Sequence, residues 1–188
     1  MIPTVSISGL SISLNATLFA SLFVISRIPM FSMTDVNLTN NTLLISSNRA
    51  IFAINETQNV NLSHFSMFDT KMKSSSLSPH FLFQIISPYG VGNSITMDDL
   101  LISGDNILQL TKALDIQGEF RNVNISNVSI SDLSIVSGAI LSADMAHRDE
   151  KTLFIWFGKR TASLLTLENF MLQNLSLSAS NIFDFSKH

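Results

Sequence analysis

The densest cluster of ionisable side chains in this 188-residue chain is Asp144, His147, Arg148, Asp149, Glu150 and Lys151. A carboxylate beside an arginine is suited to β-elimination, and a pair of carboxylates to hydrolysis of a glycosidic bond. Asp144, Arg148 and Asp149 are therefore the candidate catalytic residues. Against that reading stands a solvated loop, and the rest of the chain favours the loop. Charged residues make up only 13% of the sequence, well below the roughly 25% of ordinary soluble domains. Little remains elsewhere to complete a catalytic constellation, and the pattern argues against an enzyme.

Other groups with chemical potential are equally sparse. Asp98, Asp99 and Asp105 offer hard oxygen ligands of the kind calcium takes, but their spacing matches no defined calcium loop. The four histidines, His64, His80, His147 and His188, form no paired metal-ligand spacing, and the absence of cysteine removes disulfides, thiol catalysis and zinc–thiolate sites together. No metal or cofactor is expected. A net charge of −3 and a pI near 5.7 provide no basic footprint, so a nucleic-acid partner is not expected either.

Eight Asn-x-Ser/Thr sequons occur, at Asn15, Asn37, Asn40, Asn55, Asn61, Asn124, Asn127 and Asn174. On a secreted eukaryotic chain the loop sequons Asn15, Asn40 and Asn55 are the expected glycan acceptors. Trp156, in the apolar run LFIWFGKR, is expected on a strand or side hairpin; a sugar-stacking platform is the sharper alternative. No signal peptide is visible, because Ser and Thr interrupt the apolar run of MIPTVSISGLSISL and no basic segment precedes it. The most apolar early stretch, 18–25, is too short to span a bilayer, and no transmembrane segment is expected.

The elements that would position these residues follow from a repeat. One eight-residue template recurs as apolar, x, apolar, x, turn-type residue, apolar, x, apolar. It appears as VSISGLSI (5–12), FSMTDVNL (31–38), VNLSHFSM (60–67), ITMDDLLI (95–102), VNISNVSI (123–130) and LTLENFML (165–172). These define the first to sixth repeats. Within each, alternation places one apolar pair on one face of a strand. The fifth position breaks the alternation by one residue, and a straight strand would then turn the second apolar pair outward. The chain must bend there instead. The residues found at the bend are Gly9, Asp35, His64, Asp99, Asn127 and Asn169, drawn from the types that best tolerate a left-handed backbone.

A third apolar piece follows each template: LFVI (22–25), IFAI (51–54), FLFQI (81–85), ILQL (107–110), AIL (139–141) and IFDF (182–185). Three short strands per repeat make one triangular coil. The fold expected is all-β, a parallel β-helix of about six three-stranded coils, with an axis of roughly 25–30 Å at the usual strand spacing. An antiparallel sandwich is the structural rival. The segments between strands read as corner insertions, the longest at 68–80 and 143–152, with a turn at 87–94 and one helical turn within 110–120.

The pattern resembles the right-handed parallel β-helix of the pectate-lyase-like superfamily, as in large surface or secreted β-helix proteins. In that family a corner asparagine is common between the second and third strands. Asn127 and Asn169 match it on neighbouring repeats; Gly9, Asp35, His64 and Asp99 depart from it. Right-handedness is what the resemblance and the crossover rule imply. Carbohydrate-active members present Asp, Lys and Arg from several adjacent coils on one face, where this chain carries mainly Ser, Thr and Asn.

No amphipathic capping helix fits at either end. The chain 1–188 is therefore expected to be a single β-helix segment of a longer solenoid, or one whose ends a protein partner covers. The function expected is a structural or adhesive solenoid, extracellular or at a cell surface; a carbohydrate-binding or polysaccharide-cleaving β-helix is the alternative.

Overall fold

The computed structural model describes residues 4–46, 49–74, 80–87, 93–109, 111–118, 120–136, 139–144, 155–158, 161–178 and 181–184. Every element among them is a strand. The first repeat supplies β1 (Thr4–Ile12), β2 (Asn15–Leu18) and β3 (Phe23–Ser26). The second supplies β4 (Met30–Thr39), β5 (Thr42–Ile45) and β6 (Ala50–Asn55), and the third β7 (Asn59–Phe68), β8 (Lys71–Ser74) and β9 (His80–Ser87). The fourth gives β10 (Ser94–Ser103), β11 (Asn106–Gln109) and β12 (Thr111–Gly118). The fifth gives β13 (Asn122–Val136) and β14 (Ala139–Asp144); β15 (Ile155–Gly158), β16 (Thr161–Ser178) and β17 (Asn181–Asp184) complete the order.

The strands form two curled sheets. In the first, the template strands follow one another as β1-β4-β7-β10-β13, with β16 next to β13, and the short strands β2-β5-β8-β11 continue the sheet beyond the templates. The second runs β3-β6-β9-β12-β14-β17. All pairings are parallel except the hairpin β15–β16. That overturns the antiparallel sandwich. Parallel neighbours require a long return path between them, and here that path contains the strand of the opposite sheet.

Alternation builds the core. In β4, Phe31, Met33, Val36 and Leu38 are all buried, on both sides of Asp35. The same holds for Val60, Leu62, Phe65 and Met67 around His64, and for Val123, Ile125, Val128 and Ile130 around Asn127. From the second sheet, Phe23, Phe52 and Phe83 stack with ring centroids 5.1 and 4.8 Å apart, and Phe65 meets Phe83 edge-on at 5.0 Å. Offset stacks of this kind add to the burial of each ring.

Three local expectations are corrected. Residues 111–118 form β12, not a helical turn: Leu114 and Ile116 pair with Phe83 and Ile85 of β9 and are buried among the core side chains. The piece at 107–110 falls mainly on β11, in the template sheet, so β12 is the fourth repeat's contribution to the second sheet. The insertion at 68–80 contains β8, whose Met72 is fully buried. Most of the turn at 87–94 and of the insertion at 143–152 lies outside the described residues.

Candidate functional site

Gly9, Asp35, His64, Asp99, Asn127 and Asn169 have φ of 67, 55, 51, 58, 54 and 54°, all left-handed. The strand register passes over each of them: Ser8 pairs with Thr34 and Leu10 with Val36, leaving Gly9 and Asp35 at the bend. The bend is what lets both halves of a template aim inward. The six residues form an exposed column across adjacent strands.

Side chains along this column bond from one repeat to the next. His64 Nδ1 lies 3.2 Å from Asp35 Oδ1, and Nε2 lies 3.9 Å from Asp99 Oδ2, with all three side chains about 60% exposed. Solvated pairs of this kind contribute little net stability. Asp98, one residue before the bend, accepts from Ser126 Oγ at 2.9 Å and Asn127 Nδ2 at 2.7 Å. These two bonds hold its carboxyl below the usual carboxylate range. Asn169 Nδ2 in turn donates to Asn127 Oδ1 at 2.9 Å.

A second left-handed column lies five residues beyond the bend in the second to sixth repeats: Asn40, Asp69, Gly104, Asp132 and Asn174, with φ of 54, 47, 81, 56 and 50°. Gly104 is required there on two counts. Its φ is left-handed, and a Cβ would sit 2.6 Å from Asp69 Oδ1 and 2.8 Å from the Phe68 ring. Arg27 and Glu56 begin a third such position, with φ of 59 and 52°, and pair through Nε and Oε2 at 2.9 Å.

Just inside the second column runs a buried polar row, Asn41, Thr70 and Asn106. Asn41 Oδ1 accepts from Leu14 N at 2.8 Å, while Nδ2 donates to Ile12 O and Thr70 Oγ1, each at 3.2 Å. Thr70 N donates to Asn106 Oδ1 at 2.9 Å, and Asn106 Nδ2 donates to Ser103 O at 2.7 Å. These side chains satisfy main-chain groups where the strands of the first four repeats break. In the fifth and sixth repeats Leu133 and Leu175 occupy the same register row. The sequence reading missed the second column and the buried row. A turn-type residue five positions after each bend from the second repeat on was the available signal.

Asp144 ends β14, in register with Gln117 of β12; Arg148 and Asp149 lie outside the described residues. Asp105 N donates to Asp69 Oδ1, and no group of three His, Asp or Glu residues close enough to hold a metal ion occurs among the described residues. Of the three loop sequons, Asn15 and Asn40 are exposed, as are Thr17 and Thr42 two residues on. Asn55 is half-buried, and Thr57 is buried with its hydroxyl on Asn55 O. Trp156 lies on β15, the antiparallel edge strand against β16.

The outward positions of the templates form three regular rows. One reads Ser6, Ser32, Asn61, Thr96, Asn124 and Thr166; the second reads Ser8, Thr34, Ser63, Asp98, Ser126 and Glu168; the third reads Ser11, Asn37, Ser66, Leu101, Ser129 and Met171. Chemically this is a grid mainly of hydroxyls and amides, interrupted by the carboxylates Asp98 and Glu168 and by the exposed apolar side chains Leu101 and Met171. No helix among the described residues is long and apolar enough to cross a membrane. No protein-family model matches the chain, and neither the curated proteins nor the solved structures contain a match to it.

Proposed function

We propose that the chain is a parallel β-solenoid of six three-stranded coils, right-handed, serving as a structural or adhesive element at a cell surface or outside the cell. The observation that carries this reading is the register. The templates pair in parallel and in step across all six repeats, and the bends fall in one column. The right hand follows from the strong chirality of parallel crossovers. A non-catalytic role is supported by the outward rows, which carry mainly Ser, Thr and Asn. Of the three loop sequons, Asn15 and Asn40 are the glycan acceptors on a secreted chain, since both are exposed with an exposed Thr two residues on; Asn55 is not, because its Thr57 is buried.

Nitroxide labels at Asp35 and Asn169 test the architecture. The two positions are four layers apart, so their backbones should be separated by roughly 19 Å at about 4.8 Å per layer. A separation beyond about 35 Å would defeat the solenoid. Turnover of any acidic polysaccharide, abolished by Asp144→Ala or Arg148→Ala, would replace the structural role with a catalytic one. Labelling of intact source cells with an antibody to the chain tests the location; signal only after permeabilisation would count against it.

A further inference from the structure

The second sheet carries an inward column that its ladder skips. Ala50 pairs with Phe81 and Phe52 with Phe83, which leaves Ile51 opposite Leu82. Lys112 pairs with Phe81 and Leu114 with Phe83, which leaves Ala113 opposite Leu82 in turn. All three skipped residues are buried, Ile51 and Leu82 within the main core and Ala113 beside them. What changes along the column is size. Ile51 and Leu82 each place four side-chain carbons between the sheets, and Ala113 places one. The neighbouring row thins at the same step: Phe23, Phe52 and Phe83 stack ring on ring, and Leu114 follows where a fourth ring would stand.

A cavity lies where the two rows thin. Leu82, Phe83, Ala113 and Leu114 wall it on one side, and Met97, Ile125 and Val128 face them from the templates of the fourth and fifth repeats. Phe170 also lines it, but every other described lining residue belongs to the third to fifth repeats and is at most 6% exposed. The site is therefore set by interior repeats. The centre of a water-sized sphere has about 20 Å³ in which to move, so the space exceeds what one tightly held water fills. All the described lining side chains are apolar. A buried water needs two to four polar partners, and these side chains offer it none. The walls are also held apart. Leu114 is in register with Phe83 and Met97 with Ile125, so closing the space would mean breaking strand ladders.

We propose that this cavity is a binding site for one small apolar molecule, in the size class of xenon or a short hydrocarbon, lodged against Phe83 beside Ala113. The proposal goes beyond the structural role above and uses only the pairing and burial of the third to fifth repeats. Its driving force is dispersion. Atoms that line a void lack partners on one side, and a polarisable guest supplies those contacts without displacing a hydrogen bond. Polar solutes of the same size are rejected, because they would give up their bonds to water and gain nothing in return.

Xenon is the probe, applied at rising pressure to the whole 188-residue chain carrying labelled methyl groups, with helium at the same pressures as the control. Xenon should produce saturable shifts at the methyl groups of Leu82, Met97, Ala113 and Val128, and helium none. Leu38 and Leu43, buried in the second repeat, should not respond to either gas. Ethane should compete with xenon for the same methyl groups. Ala113→Leu restores the carbons that Leu82 supplies one strand earlier and should abolish the saturable shifts. Val128→Ile narrows the cavity from the opposite sheet and should weaken xenon binding roughly threefold or more, so the test does not hang on one variant folding. Absence of saturable shifts in the wild type, shifts spread evenly over all repeats, xenon binding that ethane does not displace, or full xenon binding in a folded Ala113→Leu chain would overturn the proposal.

Discussion

The second bend is built in two ways within one chain. In the second to fourth repeats the strand stops at the bend, and Asn41, Thr70 and Asn106 carry hydrogen bonds to main-chain groups of their own and neighbouring repeats. In the fifth and sixth the strand runs through: Ser131 pairs with Gln173 and Leu133 with Leu175, and Leu133 is 1% exposed in the same row. A buried amide is tolerable where the backbone ladder lapses, because it replaces the lost partners. Where the ladder is intact the amide would have nothing to bond, and leucine belongs there. From the second repeat to the sixth, side-chain polarity thus follows ladder continuity.

Exchanging the two solutions should give the largest effects. Leu133→Asn places an amide in an apolar row whose backbone groups are already paired, and should cost about 4 kcal/mol. Asn41→Leu leaves Leu14 N and Ile12 O buried without their partner and should cost about 3 kcal/mol. Urea midpoints at a common m-value measure both. A cost below 1 kcal/mol for Leu133→Asn would show that the two constructions are interchangeable. Gly104→Ala comes next, at about 2–3 kcal/mol, from the left-handed φ and the close approach of Asp69 and Phe68. The corresponding Asp132→Ala, made where Leu133 continues the strand, should lose only about 1 kcal/mol for its φ. Equal costs at the two positions would remove steric crowding as a distinguishing feature of the fourth repeat.

This contrast also explains what could be read from the sequence. The first bend was legible because a left-handed backbone narrows the residue choice and because the alternation slips there, at Asp35 and Asn127 for example. The second bend obeys the same chemistry at Asn40 and Asp69 but lies beyond the eight-residue template. The buried row was illegible in principle from composition, since Asn and Thr ordinarily mark turns and outer faces. Only the pairing of Asn41 with Ile12 and Leu14, nearly thirty residues earlier, turns it inward. Within 110–120 a helical turn was expected, and pairing with β9 made residues 111–118 a strand instead. The acidic and basic cluster around 144–151 stood out by density alone, which says nothing about which strands converge on it.

Titration sharpens the comparison further, because the Asn, Thr and Leu residues of the row carry no proton that changes with pH, whereas His80 in the third repeat does. His80 is fully buried, and desolvation pushes its imidazole down from 6.5 to about 4. Between those values the unfolded chain holds a proton that the folded chain does not, so stability rises with pH there. The stability present at pH 7 should fall as pH drops through 6.5 and level off below about 4, by roughly 3 kcal/mol at about 1.4 kcal/mol per pKa unit. His80→Asn should flatten that part of the curve, whatever it does to the stability at pH 7. Thr70→Val in the polar row should lower stability by only about 1–2 kcal/mol, and equally at every pH, since it deletes a hydroxyl and no titrating group. Denaturant midpoints from pH 4 to 8 separate these outcomes. A Thr70→Val cost that grows as the pH falls would mean that the buried row is coupled to His80. The difference between the polar and apolar halves of the row would then be electrostatic in origin and not a matter of which backbone groups need partners.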